Sequence, residues 1–304
     1  MTTPENPSQS SYPYLSDIIG NTPVVRLTRL EPAGSVVLAK LEGANPAGSV
    51  KDRAAFSMIE AAVESGQLQP GGDVVEATSG NTGIALAAAA ASRGYGMVLV
   101  MPAGSSQERL DAMRAYGAEV VETERELGME HARDVAERIA SETGALRLDQ
   151  FANQANPAAH FRATAVEIAE QGGAALTHVV CAMGTTGTVT GVSRALATIA
   201  PAVKVVGVQP SPGESIAGIR AWPPEYVPTI FNDTYIAEIR EVSGQRALDV
   251  TRALAREEGL LLGISSGGAA AIAIDLAREN AGSVVLFIAP DRGDRYLSTG
   301  VFGR

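Results

Sequence analysis

The chain has 304 residues, of which 45% are hydrophobic and 19% charged, enough apolar material for a large core and too much for a disordered or fibrous protein. Its net charge of −10 arises from interspersed acids and bases, with no basic stripe that could track a nucleic-acid backbone. The only cysteine, Cys181, excludes an intrachain disulfide and a cysteine-rich metal framework, fits the reducing cytoplasm, and is expected to fill a buried strand.

Residues 1–14 are polar, rich in Pro and Ser, and lack the basic start and apolar centre of a secretory signal, so they are expected to form a flexible tail. Beyond them, short apolar runs at 36–41, 73–77, 97–101, 118–121, 177–182, 204–208 and 283–288 predict strands. Amphipathic stretches at 52–64, 82–93, 107–116, 130–141, 157–171, 188–199, 245–258 and 269–280 predict helices. The alternation predicts an α/β fold with largely parallel sheets. The most apolar helical stretch, 84–91, is mainly alanine and much shorter than the ~20 residues a bilayer requires, so no membrane partner is expected. Residues 209–235, rich in Pro, Gly, Ser and aromatics without a period, predict a long functional loop over a cleft. A polar, Asn-rich segment at 153–157 marks a candidate domain boundary.

Three glycine-rich loops each lie between a predicted strand and a predicted helix, where free backbone N–H groups and the helix dipole favour anions. The first, Asn45-Pro46-Ala47-Gly48-Ser49-Val50-Lys51-Asp52-Arg53, places Lys51 in an opening helical turn, where a cation is disfavoured by ~0.3–1 kcal/mol. Lys51 is either a solvated lysine paired with Asp52 or an amine of lowered pKa able to form a Schiff base with a carbonyl cofactor. The second, Thr78-Ser79-Gly80-Asn81-Thr82-Gly83, offers hydroxyls, an amide and backbone N–H groups to a small carboxylate; the alternative is an N-capped helix. The third, Gly184-Thr185-Thr186-Gly187-Thr188, suits a phosphate held without a charged side chain, or is simply a tight turn. It lacks the lysine of a nucleotide-binding P-loop and the G-x-G-x-x-G spacing of a dinucleotide site, which favours a monophosphate ligand. Together the loops describe an amino acid held beside a phosphorylated carbonyl cofactor, and pyridoxal phosphate meets that description.

The chain resembles cysteine synthase, O-acetylserine sulfhydrylase, of the fold-type II pyridoxal-phosphate enzymes. The resemblance runs from Ile18-Ile19-Gly20-Asn21-Thr22-Pro23 through the three loops and Gly263-Ile264-Ser265-Ser266-Gly267-Gly268 to Tyr296-Leu297-Ser298-Thr299-Gly300. Within that family, 105–109, 219–223 and 291–296 look like the B isoform. The resemblance implies two α/β domains with mainly parallel twisted sheets. Residues 45–153 would form a smaller mobile domain carrying the Lys51 and carboxylate loops, and 15–44 with 154–304 a larger one carrying the phosphate loop and Ser265.

It further implies that Lys51 holds the cofactor as a Schiff base, Asn81 contacts the ring hydroxyl, Gly184, Thr185, Thr186, Gly187 and Thr188 bind the phosphate, and Ser265 faces the pyridine nitrogen. Thr78, Ser79, Gly80, Thr82 and Gln150 would bind the substrate carboxylate; taken alone, Gln150 reads as an exposed loop amide. Arg220 would meet an acidic second substrate such as thiosulfate, or stand as a solvated rim arginine. The implied reaction replaces the acetyl group of O-acetylserine by sulfide through an aminoacrylate, with Lys51 as general base. A homodimer is carried by the same resemblance; the cytoplasm is expected from the missing secretory signal and the cysteine usage, and a complex with serine acetyltransferase belongs to the reading of the chain as a non-catalytic partner of that enzyme. Rival readings are an O-phosphoserine sulfhydrylase, a serine or threonine dehydratase, a cystathionine β-synthase, and a non-catalytic binding protein. His131, His160 and His178 are scattered and read as structural residues, with no metal expected.

Overall fold

A computed structural model describes residues 12–78 and 80–303, so Ser79 and the first 11 residues of the expected tail lie outside the described residues. In chain order the first elements are β1 (Val24–Arg26), β2 (Val36–Leu41), α1 (Lys51–Glu64), β3 (Asp73–Ala77), α2 (Asn81–Arg93), β4 (Gly96–Pro102), α3 (Gln107–Ala115), β5 (Glu119–Thr123), α4 (Gly128–Thr143) and β6 (Leu146–Arg147). There follow α5 (Ala155–Ala159), α6 (Ala165–Gly172), β7 (His178–Ala182), α7 (Gly187–Ile199), β8 (Lys204–Pro210), β9 (Glu238–Val242), α8 (Gly244–Glu258), α9 (Ile264–Glu279) and β10 (Val284–Ala289).

The strands form a six-stranded sheet, β1-β2-β10-β7-β8-β9, and a four-stranded sheet, β5-β4-β3-β6. Every pairing is parallel except β1 with β2. The central strands of the larger sheet are almost wholly apolar, as expected where helices cover both faces. Cys181 fills a fully buried position on β7, and burial pushes its thiol up to about 12.

Three strands escaped the sequence pattern. β1 and β6 have three and two residues, too few for any period, and β9 (Glu-Ile-Arg-Glu-Val) is charged because it closes an open sheet edge. The helix predicted at 157–171 is a composite, with a π-turn at His160–Thr164 between α5 and α6. There the buried His160 bonds Thr164 Oγ1 through Nδ1 (3.0 Å) and approaches Thr188 Oγ1 through Nε2 (3.3 Å). Helix α9 starts five residues before its predicted 269, because Gly267 is needed inside it: a Cβ there would overlap Thr251 and the Ala247 carbonyl of α8.

A buried charge cluster joins the two sheets' helices. Arg53 of α1 bonds Glu42, just past β2, through Nε (2.7 Å) and Nη2 (2.9 Å), and grips Glu167 of α6 with both terminal nitrogens (2.7 Å each). Lys40 Nζ of β2 lies 2.7 Å from Glu167 Oε2, the oxygen that also accepts from Arg53 Nη2. Burial pushes the Glu167 carboxyl up, yet the Arg53 bonds and charge, with Lys40, outweigh it and hold the group near about 2. A carboxyl depressed in this way contributes stability that is present above its ordinary range near 4.5 and is lost as pH falls towards 2. Acid titration followed by circular dichroism should therefore show the fold weakening between those values. Arg53→Met should leave the buried Glu42 without a counter-charge and Glu167 with Lys40 alone, and cost about 3–5 kcal/mol in urea unfolding at neutral pH.

Candidate active site

The Lys51 loop is shaped by its neighbour. The Asp52 carboxylate accepts the Ala47 N–H (2.6 Å) and the Ser49 N–H (3.3 Å), folding the loop back over the start of α1. Burial pushes Asp52 up to about 6, against these bonds. Asp52 is thus committed to backbone, and the ion pair with Lys51 weighed from the sequence does not form. Among the described residues the Lys51 Nζ makes no hydrogen bond or ion pair, and its side chain opens into a cleft of about 750 Å³. Removal from water lowers its pKa, against the attraction of Asp291.

Across the cleft, Thr78 directly follows β3 and Asn81 begins α2. The N-cap of α2 is Gly80, which has no side chain to cap the helix; its own N–H reaches Thr78 Oγ1 (3.4 Å), and Gly80, Asn81 and Thr82 line the cleft. Thr82 Oγ1 donates to Gln150 Oε1 (2.8 Å), and Gln150 Nε2 reaches the Ala77 carbonyl (3.4 Å). Gln150 is 4% exposed, so it is no solvated loop amide.

The third loop follows β7 and opens α7 at Gly187. Thr185 Oγ1 accepts from Asn156 Nδ2 (3.2 Å), and the Gly184 carbonyl accepts the Trp222 indole N–H (2.8 Å). Thr186 sits in the left-handed region (φ +70°), and among the described residues its buried Oγ1 has no partner. A Cβ on Gly187 would overlap the Asn156 side chain, so only glycine fits that approach. Lys51, Gly184, Thr185, Thr186 and Thr188 line one recess. Hydroxyls, an orphaned Oγ1 and the N–H groups of a helix start form a neutral donor set for a phosphate, beside an amine for a carbonyl: these residues fit pyridoxal phosphate.

Ser265, in the first turn of α9, is 3% exposed and lines the cleft against the backbone of Gly218. Arg220 stands apart from this cluster. It is exposed on the cleft rim, its guanidinium 5.3 Å from the Trp222 ring, and Trp222 in turn meets Phe151 edge-on at 5.5 Å.

Several site residues had no role in the sequence reading. Asp291, just past β10, accepts from Asn81 Nδ2 and from the Tyr296 hydroxyl, both at 2.7 Å. Arg295 donates to Asn81 Oδ1 (2.6 Å) and to the Ala47 carbonyl. Asn81 is thereby fixed in orientation with one amide hydrogen left for a ligand. The signal was a dense charged block, Asp291 to Tyr296, directly after an apolar strand, where ligands gather in parallel sheets.

Comparison with known proteins agrees with this geometry. A family profile described as "Pyridoxal-phosphate dependent enzyme" matches residues 15–291. Cysteine synthase B of Pseudomonas aeruginosa is 52% identical over 292 residues, covering 96% of this chain and 98% of that protein. Cysteine synthase B of Escherichia coli K12 is 54% identical over 290 residues, covering 95% and 96%. Among solved structures, O-ureido-L-serine synthase superposes with a TM-score of 0.91 at 41% identity, covering 96% of this chain and 95% of that one. A cysteine synthase of Entamoeba histolytica superposes with a TM-score of 0.89 at 36% identity, covering 99% and 94%. The chain is a member of the pyridoxal-phosphate dependent enzyme family.

Proposed function

We propose that this protein makes L-cysteine, replacing the acetyl group of O-acetyl-L-serine by sulfide and releasing acetate. The observation that carries the reading is the convergence of the Lys51 amine, the carboxylate-sized Thr78–Gln150 nest and the Gly184–Thr188 anion nest on one cleft. The identity of over half its residues with two cysteine synthase B proteins supports the choice of substrates.

Pyridoxal phosphate, when bound, supplies a carbonyl for an amine and a ring that acidifies the neighbouring C–H bond. The phosphate would lie on Gly184, Thr185, Thr186, Gly187 and Thr188, the ring hydroxyl at the free Asn81 hydrogen, and the ring nitrogen at Ser265. That last group is a neutral hydroxyl, which does not force the nitrogen to stay protonated as a carboxylate would. Thr78, Ser79, Gly80, Thr82 and Gln150 hold the substrate carboxylate and so fix the Cα beside Lys51. The Lys51 Nζ, kept towards its neutral form by burial, takes the proton from the substrate Cα as acetate departs and returns it after sulfide has joined the β-carbon. Arg220, on the rim beside Trp222, would meet a second anionic substrate such as thiosulfate. A homodimer and closure of 45–153 over the substrate complete this reading on the strength of the resemblance, in a chain expected to work in the cytoplasm.

Visible absorption of the purified protein tests the assignment. A band that shifts to longer wavelength on adding O-acetylserine and returns with sulfide, as cysteine appears, is the expected result; a band indifferent to O-acetylserine would remove the donor. Lys51→Ala should abolish the shift and cut turnover by at least ~10²-fold. Thr186→Val preserves the left-handed backbone and the shape but deletes the orphaned hydroxyl. It should weaken cofactor affinity by roughly tenfold or more, the worth of a hydrogen bond to a charged group, while leaving the cofactor-free protein as stable as before.

A further inference from the structure

Glu76 is a buried acid that the chemistry above does not use. It lies on β3, 2% exposed, and no Lys, Arg or His among the described residues forms an ion pair with it. A carboxylate removed from water without a counter-charge is costly unless its hydrogen bonds are satisfied. The bond it makes is to backbone: Glu76 Oε2 accepts the Asp149 N–H at 2.8 Å.

Asp149 is one of the few residues other than glycine with positive φ (+53°), a conformation that persists only where surrounding bonds hold it. The Asp149 carbonyl accepts the Ala152 N–H (3.0 Å) and the Asn153 N–H (2.9 Å), and its Oδ1 accepts the Phe151 N–H (3.2 Å). The Glu76 bond anchors this turn to the sheet.

The next residue is Gln150. With Oε1 taken by the Thr82 hydroxyl, the Gln150 amide has a fixed sense, and its Nε2 can only donate. One Nε2 hydrogen reaches the Ala77 carbonyl at 3.4 Å, leaving the other for an anion in the cleft. The Gln150 carbonyl accepts from Asn156 Nδ2 (2.8 Å), the same nitrogen that meets Thr185 of the anion nest. The turn therefore registers the two nests against each other.

We propose that Glu76 is a positioning residue for the amino-acid substrate: its carboxylate holds the Asp149–Gln150 turn so that the Gln150 amide donates to the substrate carboxylate. The inference rests on the cysteine synthase reading for the identity of that substrate, and on geometry alone for the turn.

The group also titrates where the effect can be seen. Burial and the repulsion of Asp149 push Glu76 up to about 7, against the attraction of Arg147 and the N–H bonds of Asp149 and Gln150. Arg147 itself is bonded to Glu137 of α4 and attracted by Asp149. The neighbouring β4 carries no titratable side chain, and α2 carries only Arg93, at its far end. An ionised carboxylate accepts a hydrogen bond more strongly than a neutral acid, so the turn tightens as pH rises through about 7.

Glu76→Gln keeps the shape and cannot ionise. The probe is L-serine, whose hydroxyl is a poor leaving group, titrated into holoenzyme from pH 6 to 8.5 and followed by visible absorption. The substrate amine loses its proton over this range and raises affinity in both proteins, so the readout is the ratio of wild-type to variant affinity, which should rise ~3–10-fold across the window, the gain from a charged over a neutral acceptor. At pH 8 the affinity of Glu76→Gln should be lower by a similar factor, with saturated turnover of O-acetylserine within ~2-fold of wild type. A second readout is amide hydrogen exchange at Asp149 and Gln150 in the cofactor-free protein, which should quicken by ~10-fold in the variant as the charged acceptor is lost. A ratio that stays flat with pH, together with a wild-type exchange rate in the variant, overturns the proposal. A wild type with no response to either amino acid refutes the cysteine synthase reading, and the exchange rates alone then decide whether Glu76 holds the turn.

Discussion

The geometry of the cleft depends on Arg53. Its guanidinium is buried two residues past Lys51 and bonds a carboxylate from the end of β2 and another from α6. Two cations, Lys40 and Arg53, face two anions, Glu42 and Glu167, so the cluster carries no net charge into the interior. Its geometry, not its charge, is what the fold uses: planar bidentate bonds allow little rotation of α1, and hence little freedom at Lys51. Asn45 extends the cluster into the loop, donating to Glu42 Oε2 (2.8 Å) and to the Ser49 carbonyl (3.2 Å). The amine is thus aimed from below by a rigid ionic joint, while Asp52 shapes the loop above it.

The C-terminal ends of strands from both sheets face this cleft. β2, β7 and β10 deliver the Lys51 loop, the anion nest and Asp291 from one sheet, and β3 delivers Thr78 and Asn81 from the other. Asp291 and Arg295 join the two groups by holding opposite ends of the Asn81 amide. Movement of the smaller sheet's helices must therefore either carry Asn81 away from Asp291 or draw the segment around Arg295 along with it. Arg109 of α3, 4.8 Å over the Tyr296 ring, strengthens the second course.

The three loops were legible because each marks a change of period, from an apolar strand to an amphipathic helix, with glycine at the junction. Those signals are local in sequence. Asp291 and Arg295 meet Asn81 across more than two hundred positions, and no period or spacing encodes that meeting. Gln150 was reachable only by resemblance, since a short polar stretch after a two-residue strand carries no pattern; what buries it is Thr82, 68 positions away. Glu76 shows the same limit from the other side. In sequence it interrupts a strand, and its value appears only once the Asp149 N–H is seen to need it. The π-turn at His160 likewise comes from tertiary contact: a Cβ on Gly191 of α7 would overlap the Pro157 carbonyl, so the two helices close on each other there.

An acidic chain of net charge −10 must still hold anions. The structure answers with backbone in place of basic side chains. Lys51 opens α1, Asn81 opens α2, Gly187 opens α7 and Ser265 lies in the first turn of α9, so four helix N-termini meet at one cleft. Each presents a partial positive charge equivalent to about half an elementary charge. Such a field favours phosphate and carboxylate without introducing a proton donor that could compete with Lys51. It also disfavours the protonated form of Lys51, in the same sense as burial. The arrangement that binds the two anions therefore prepares the amine between them, and the Thr186 hydroxyl and the Gln150 amide add direction to a field the helices already supply.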